Sequence, residues 1–332
     1  MRPKNPPASP VQPTLSDRYG AEKFSRPGVQ TVDLPEFVQM DIPPRELIMR
    51  PWLPEKSLVM VYGPRGIGKT YFALEVGLAV ATAGTYLQWT TPSPRRVLYI
   101  DGEMPAGVLQ ERVLAMLKEA DGNGDPHFEL LSFDLQCRDR MPLNLADPDH
   151  QLELEPVLQR HDLIIVDNIS TLVHGGRENE AESWLGTQGW ALRQRAAGRS
   201  VMFIHHAGKA GNQRGTSRRE DVLDTVIALR RPTDYDPNQG AVFEVHFEKS
   251  RGFFGDDAKA TEATLTEDDN GRRLWKTRDV EAADLDRIVA LFNEGWRQKD
   301  IASEIKCSKS KVSKALKKAR ALGLVVIDGG KK

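Results

Sequence analysis

Residues 63–70 read Gly-Pro-Arg-Gly-Ile-Gly-Lys-Thr, an instance of G-x-x-x-x-G-K-[ST], and no other stretch of the chain restricts its fold as tightly. The apolar run at 57–62 ahead of it has the character of a buried strand. Residues 69–83 behind it carry apolar side chains at helical spacing until Gly84 interrupts them. A strand, a glycine loop and a helix in that order aim successive backbone N–H groups, and the positive end of a helix, at a chain of phosphates. On this reading Gly63, Pro64, Arg65, Gly66, Ile67, Gly68, Lys69, Thr70 and Tyr71 bind a nucleotide. Lys69 reaches the β- and γ-phosphates and the Thr70 hydroxyl ligates Mg²⁺. A glycine-rich turn that matches by chance is the alternative, and it leaves the flanking strand and helix unexplained.

Apolar runs continue beyond the loop at 96–101, 162–167 and 200–206, separated by helical patterns at 108–120 and 183–197. Strands that alternate with helices, and that are apolar nearly throughout, predict a doubly wound, mainly parallel α/β sheet with right-handed crossovers. A late strand at 241–249 has two candidate partners, 226–229 and 273–275. The core is expected to end near Thr277, after a polar turn at 267–271. No internal repeat is visible.

A chain of 332 residues is long enough for one large core and something smaller. Nine of the 21 prolines fall in residues 1–44, among few apolar residues, which predicts a mostly disordered arm. The expected organisation is therefore an arm at 1–44, an α/β core at 45–278 and a small all-α domain at 279–332. Trp52 and Leu53 are expected to anchor the start of the core. Cys137 and Cys307 are isolated and match no metal-ligand spacing, which fits a reducing, cytoplasmic compartment. No run approaches the length of a membrane span, and the first residues lack the apolar stretch of an export signal. The net charge of −1 hides an asymmetry, because residues 286–332 hold twelve Lys/Arg against five Asp/Glu and the remainder carries −8. Such separation fits a C-terminal part that meets a polyanion, or else a merely solvated basic face.

Several polar residues stand where the strands should end, the edge at which ligands sit in open parallel sheets. Asp167 closes an apolar run in the manner of an aspartate that orients Mg²⁺ or a metal-bound water; a capping aspartate is the alternative. Glu103 lies just beyond another strand, placed to deprotonate a water, though a surface acid would read the same. Asp101 is the next candidate, or a support for its loop. His206 ends a further strand, where a polar side chain can contact the γ-phosphate and report its loss, while alternation turns His205 to the other face. Arg214, in a Gln-Arg-Gly-Thr-Ser segment, and Lys249 and Arg251, in Lys-Ser-Arg-Gly, supply cations. Each arginine reads equally as a finger inserted from a neighbouring subunit or as a surface or nucleic-acid-binding cation.

Near the C-terminus, amphipathic patterns at 285–292, 298–305 and 310–322 place Ala302, Lys306 and Val312 at the spacing of a helix-turn-helix. Ser308, Lys309, Ser310, Lys311, Ser313 and Lys314 then fall near the start of a recognition helix, suited to phosphates and base edges of DNA. Lys306 occupies a turn position that usually holds glycine. A helical protein-interaction domain is the competing explanation.

Taken in order, Gly-Lys-Thr at 68–70, Gly102-Glu103, the strand ending Asp167-Asn168, His205-His206-Ala207-Gly208-Lys209, Gln213-Arg214-Gly215-Thr216-Ser217 and Lys249-Ser250-Arg251-Gly252 resemble the RecA-like ATPases related to RepA, the hexameric plasmid helicase. The likeness covers about residues 46–277, and the appended helix-turn-helix is similar to mobile-element versions of the group. The resemblance implies a RecA fold assembled into a homo-oligomeric ring, a hexamer, with ATP and Mg²⁺ between subunits and DNA as substrate. Replication or mobile-element proteins are further implied partners. It implies that Glu103 activates water, Asp167 holds Mg²⁺, His206 is the sensor, Arg214 the trans finger, and Lys249 and Arg251 a K-x-R pair that contacts the neighbour's nucleotide. Residues 208–212 are the best candidates for a DNA-binding loop. Three functions compete: a DNA motor of the replicative-helicase type; an ATP-controlled, sequence-specific DNA-binding regulator or loader; and phosphotransfer in a KaiC-like ring, for which no acceptor segment is evident.

Overall fold

The computed structural model describes residues 31–119, 127–136, 142–173, 181–208, 221–233, 235–236, 238, 240–269 and 273–325. Arg214 and residues 209–212 lie outside them. The chain divides into two units, Met1–Pro44 and Arg45–Lys332. In the first, helix α1 (Leu34–Gln39) is capped by Asp33, whose carboxylate accepts the Glu36 N–H at 2.8 Å. None of the residues of α1 is buried.

The second unit opens with a hairpin of β1 (Leu47–Met49) and β2 (Leu53–Pro54), then β3 (Leu58–Gly63) and α2 (Lys69–Thr82). A hairpin of β4 (Thr85–Tyr86) and β5 (Trp89–Thr90) precedes β6 (Val97–Asp101), α3 (Ala106–Glu119) and β7 (Phe128–Ser132). Next come α4 (Pro148–Leu158), β8 (Leu163–Asp167), α5 (Ile169–Leu172), α6 (Ala181–Ala196), β9 (Ser200–His206) and β10 (Thr225–Arg230). Three strands follow, β11 (Val242–Ser250), β12 (Thr261–Glu267) and β13 (Arg273–Asp279), and then α7 (Val280–Asn293), α8 (Gln298–Glu304) and α9 (Lys309–Ala321).

Nine strands form one sheet in the order β13-β12-β11-β10-β3-β9-β8-β6-β7. Neighbours from β10 to β7 are parallel, and those from β10 to β13 are antiparallel. After β3 the chain crosses to β6 and only later inserts β8 and β9 between them. This brings the carboxyl ends of β3, β9, β8 and β6 side by side.

Every residue of β3, β6 and β8 is buried, because helices cover both faces. Val59, Val61, Tyr99 and Ile165 pack with α2 and α3 on one side, while Met60, Val166 and Phe203 meet α4 and Trp184 and Trp190 of α6 on the other. Trp52 and Leu53 are fully buried, and the Trp52 ring lies 5.3 Å from that of Trp89, so the two hairpins share an aromatic cluster. Among the described residues no helix is long and apolar enough to cross a membrane.

The late strand β11 pairs with β10 and β12; of the two partners expected for it, residues 226–229 are correct, and β13 pairs with β12 instead. β7 and β12 are strands that apolar runs do not reveal, since β7 is a half-exposed edge and β12 reads Thr-Glu-Ala-Thr-Leu-Thr-Glu. β13 passes directly into α7, whose first turn is capped by Asp279 through the Glu281 N–H at 2.7 Å. Glu262, 2% exposed, receives Arg278 Nε at 2.7 Å and also Arg287 Nη2, which ties β12, β13 and α7 together. Helices α7 to α9 enclose their own apolar cluster of Ile288, Phe292, Ile301, Ala302, Ile305, Val312 and Leu316.

Helix α2 lies close against the sheet at Gly77, where a Cβ would come within 2.4 Å of the Phe128 ring and 3.1 Å of Ile165 Cδ1. Gly77→Val is expected to lower unfolding stability by about 1–3 kcal/mol through overpacking, measured by denaturant titration.

Candidate active site at the carboxyl edge of the sheet

Beyond β3 the chain curls through Gly66 (φ 74°) and Gly68 (φ 104°), left-handed conformations that suit glycine. The curl delivers the chain into the first turn of α2, which no side chain caps, so its leading N–H groups face the loop. Lys69, 6% exposed, donates from Nζ to the carbonyls of Gly63 at 3.1 Å and Pro64 at 2.8 Å. Burial pushes its pKa down, while the carboxylates of Asp167 and Glu103 pull it back up. Arg231, at the end of β10, braces the loop from outside: it donates to Gly66 O at 2.9 Å and Val242 O at 2.8 Å, and its guanidinium lies 3.9 Å from the Tyr235 ring centre.

Asp167 ends β8 with 3% exposure, and its Oδ2 accepts the hydroxyls of Thr70 at 2.8 Å and Tyr99 at 2.6 Å. Burial raises its pKa, and these hydrogen bonds oppose the rise. A carboxylate and a hydroxyl oxygen side by side form a hard-donor pair, the kind that suits a magnesium ion otherwise held by phosphate and water. Among the described residues no group of three or more His, Cys, Asp or Glu could hold a metal ion, so a cation here needs those other ligands.

Glu103 lies beyond β6, next to Asp101, which is aligned with Asp167 across the β6–β8 pair. Asn168 Nδ2 donates to Glu103 Oε2 and lies 3.4 Å from His206 Nε2, which is itself 3.8 Å from Glu103 Oε2. The Asn168 side-chain Oδ1 is committed elsewhere, accepting the Ser170 N–H at 2.9 Å as the cap of α5. Asn168 is thus fixed at one end by a helix and presents its amide to an acid and an imidazole. His205 is buried at 3% exposure, whereas His206 is half-buried and turned toward Glu103.

Lys249 and Arg251 are not part of this cluster. Lys249 is paired with Val226 near the start of β10, and Arg251 donates to Asp221 O at 3.0 Å while its own N–H bonds Asp224 O. Asp224 in turn accepts the N–H of Leu58, the first residue of β3, so Arg251 stands one strand length, roughly 17 Å, from the glycine loop. Sequence reading also passed over Tyr99, Asn168 and Arg231, since a tyrosine within a strand, an asparagine after an aspartate and an arginine after a strand carry no pattern of their own.

In the C-terminal helices, Lys306 adopts φ 49°, and the Cys307 N–H closes the turn onto Ala302 O at 2.9 Å. Ser308 caps α9, its hydroxyl accepting the Lys311 N–H at 3.1 Å. Lys309, Ser310, Ser313 and Lys314 are exposed. Lys311 is exposed too, but its Nζ bonds Asp284 Oδ2 at 2.6 Å, which raises its pKa and ties α9 to α7.

Burial pushes the Asp101 carboxyl up to about 6, against the hydrogen bond from the Met104 N–H and with the charge of Asp167 adding to the rise. Since the unfolded side chain titrates near 3.8, the fold holds this proton more tightly, and raising the pH from about 4 to about 6 removes roughly 3 kcal/mol of stability. Asp101→Asn keeps an acceptor for Met104 and removes the ionisation. It is expected to raise the unfolding midpoint at pH 7–8 and to flatten the pH dependence between 4 and 6, measured by denaturation across a pH series.

Comparison with known proteins gives a match to the AAA domain family AAA_25 over residues 23–212, more than half of the chain. No curated protein matches. Among solved structures, a KaiC-like protein from the hyperthermophilic archaeon Pyrococcus horikoshii OT3 is similar at 14% identity and a TM-score of 0.46, over 67% of this chain and 90% of that one. The flagellar accessory protein FlaH from Methanocaldococcus jannaschii is similar at 11% identity and a TM-score of 0.41, with the same coverage of 67% and 90%. With its glycine loop, buried lysine and strand-end carboxylates on a mainly parallel sheet, the chain belongs to the AAA_25 family of AAA domains, as a P-loop ATPase.

Proposed function

We propose that this ATPase is a ring-forming DNA motor of the replicative-helicase type from a plasmid, phage or integrative element, delivered to DNA by its C-terminal helix-turn-helix. The observation that carries the reading is the separation of the glycine loop from Lys249 and Arg251 by the length of a strand, at opposite ends of one sheet. A chain built this way needs a second copy if those cations are to meet a nucleotide, and a closed ring of copies, a hexamer, satisfies every site. Arg214 is the other candidate for the trans contact.

In this reading Lys69 exchanges the Gly63 and Pro64 carbonyls for the β- and γ-phosphates of ATP. Thr70 and Asp167 would hold Mg²⁺, which supplies charge neutralisation on the phosphates when bound. Glu103 takes the proton from the attacking water, Asn168 sets the direction of its carboxylate, and His206, linked through the same amide, registers whether the γ-phosphate is present. Lys309, Ser310, Ser313 and Lys314 face DNA, with Ser308 shaping the helix start and Lys311 shared with Asp284.

A second reading, an ATP-controlled DNA-binding regulator or loader, is favoured by the absence of any linker between β13 and α7 and by the Glu262 clamp, which suit a fixed DNA-reading head. One experiment separates the two. The unmodified protein with ATP and Mg²⁺ should unwind a forked duplex, and Lys69→Ala and Glu103→Gln should each lose hydrolysis and unwinding together, by at least about a hundredfold. Brisk hydrolysis with no unwinding on any substrate eliminates the motor and leaves the regulator.

Asn168→Ala is expected to lower kcat for ATP hydrolysis about tenfold or more, in steady-state assays, with little change in KM. Lys309→Ala and Lys314→Ala should each weaken duplex binding and reduce the slope of log K against log salt by about one.

A further inference from the structure

On the side of the sheet covered by α2, a cleft of about 240 Å³ opens directly beside the glycine loop. Ile67 and Gly68 of the loop form one end of it, and Tyr71, on the first turn of α2, one wall. The facing wall comes from the antiparallel extension: Phe243 of β11 and Arg273 and Trp275 of β13. Phe243 and Trp275 are packed together with ring centres 5.1 Å apart, and the Arg112 guanidinium lies 5.4 Å from the centre of the Tyr71 ring. The walls are therefore flat, aromatic and held in place. Glu75, one turn further along α2, and Arg273 supply polar groups within a mostly apolar lining.

We propose that this cleft is the subsite for the base of the bound nucleoside triphosphate, with Trp275 and Tyr71 as its stacking residues. The inference rests on the nucleotide-binding reading of the loop and specifies what that reading leaves open. Phosphates cradled by residues 66–70 leave the nucleoside to one side or the other of the loop, and this cleft shares Ile67 and Gly68 with the cradle. Its chemistry matches a heteroaromatic ring: aromatic surface for the π-face, with a carboxylate and a guanidinium for the polar edge. No polar side chain in the cleft suits a further phosphate except Arg273, which argues for the base rather than for a second anion. The placement has a structural consequence, because Trp275 stands on β13, the strand that continues without a break into α7. A nucleotide whose base rests on Trp275 touches the same element that carries the basic helices.

The test compares ATP with inorganic tripolyphosphate, which has the phosphates and no base, by calorimetric titration of the full-length protein. Trp275→Ala and, independently, Tyr71→Ala are expected to raise the Kd for ATP about tenfold and to leave that for tripolyphosphate unchanged. Trp275→Phe, which keeps an aromatic face, should restore most of the ATP affinity, and denaturation midpoints report whether each variant is folded. Lys69→Ala should weaken both ligands. If Trp275→Ala and Tyr71→Ala leave ATP binding unchanged, or weaken ATP and tripolyphosphate equally, the subsite is wrong while the nucleotide reading stands. If the unmodified protein binds neither ligand, both fall. Selective loss of ATP affinity in a protein that unwinds nothing supports the subsite and removes only the motor.

Discussion

A lysine ammonium with 6% of its surface exposed is the constraint around which this site is organised. A buried charge is costly unless oxygen atoms surround it. Here two backbone carbonyls of the glycine loop accept hydrogen bonds from it, and the carboxylates of Asp167 and Glu103 supply the opposing charge. That requirement links elements far apart in the chain: the loop must curl back over α2, and β8 and β6 must end beside it. The inserted strands β8 and β9 meet the requirement by bringing their carboxyl ends between those of β3 and β6. The same two carbonyls fix the lysine against the loop that precedes it.

The acids at this edge are sorted by their surroundings. Asp167 is enclosed and receives two hydroxyls, which orient its carboxylate toward Thr70. Asp101 is buried beside it and holds its proton up to about pH 6. Glu103 is half-exposed in side chain and is steered by the Asn168 amide, with His206 on the other flank. One amide that touches both an acid and an imidazole provides a short route by which a change at one is felt at the other. That route is local, spanning the ends of β6, β8 and β9.

The opposite flank of the sheet has a different task. β11, β12 and β13 extend the parallel core by antiparallel pairing, and the last of them runs into α7 with Asp279 as its cap. Glu262 is nearly inaccessible to solvent and is neutralised by Arg278 and Arg287, one on β13 and one on α7. Breaking that group would leave a buried carboxylate without a partner, so the start of α7 is held to the sheet by the cost of leaving that charge uncompensated. Lys311 and Asp284 add a second tie within the helices themselves.

Much of this was readable in advance, for reasons that differ by element. β3, β6, β8 and β9 are covered on both faces, so burial alone demands the uninterrupted apolar runs that mark them. Lys306 could be placed in a turn because Ala302 and Val312 bracket it, and the backbone there does adopt the left-handed conformation, closed by the Cys307 N–H. β7 and β12 escaped because an edge strand and an antiparallel strand need only part of their surface to be apolar. Tyr99, Asn168 and Arg231 escaped because their partners are 68, 65 and 165 residues away, and nothing local marks a side chain for a distant contact. What the sequence determined by itself was the local chemistry: a loop that can bind phosphates, the polar residues that end its strands, and a basic helical tail. Which of those residues meet was decided only by the order of the strands, since that order aligns the ends of β3, β6, β8 and β9 and sends Lys249 and Arg251 to the far end of the sheet.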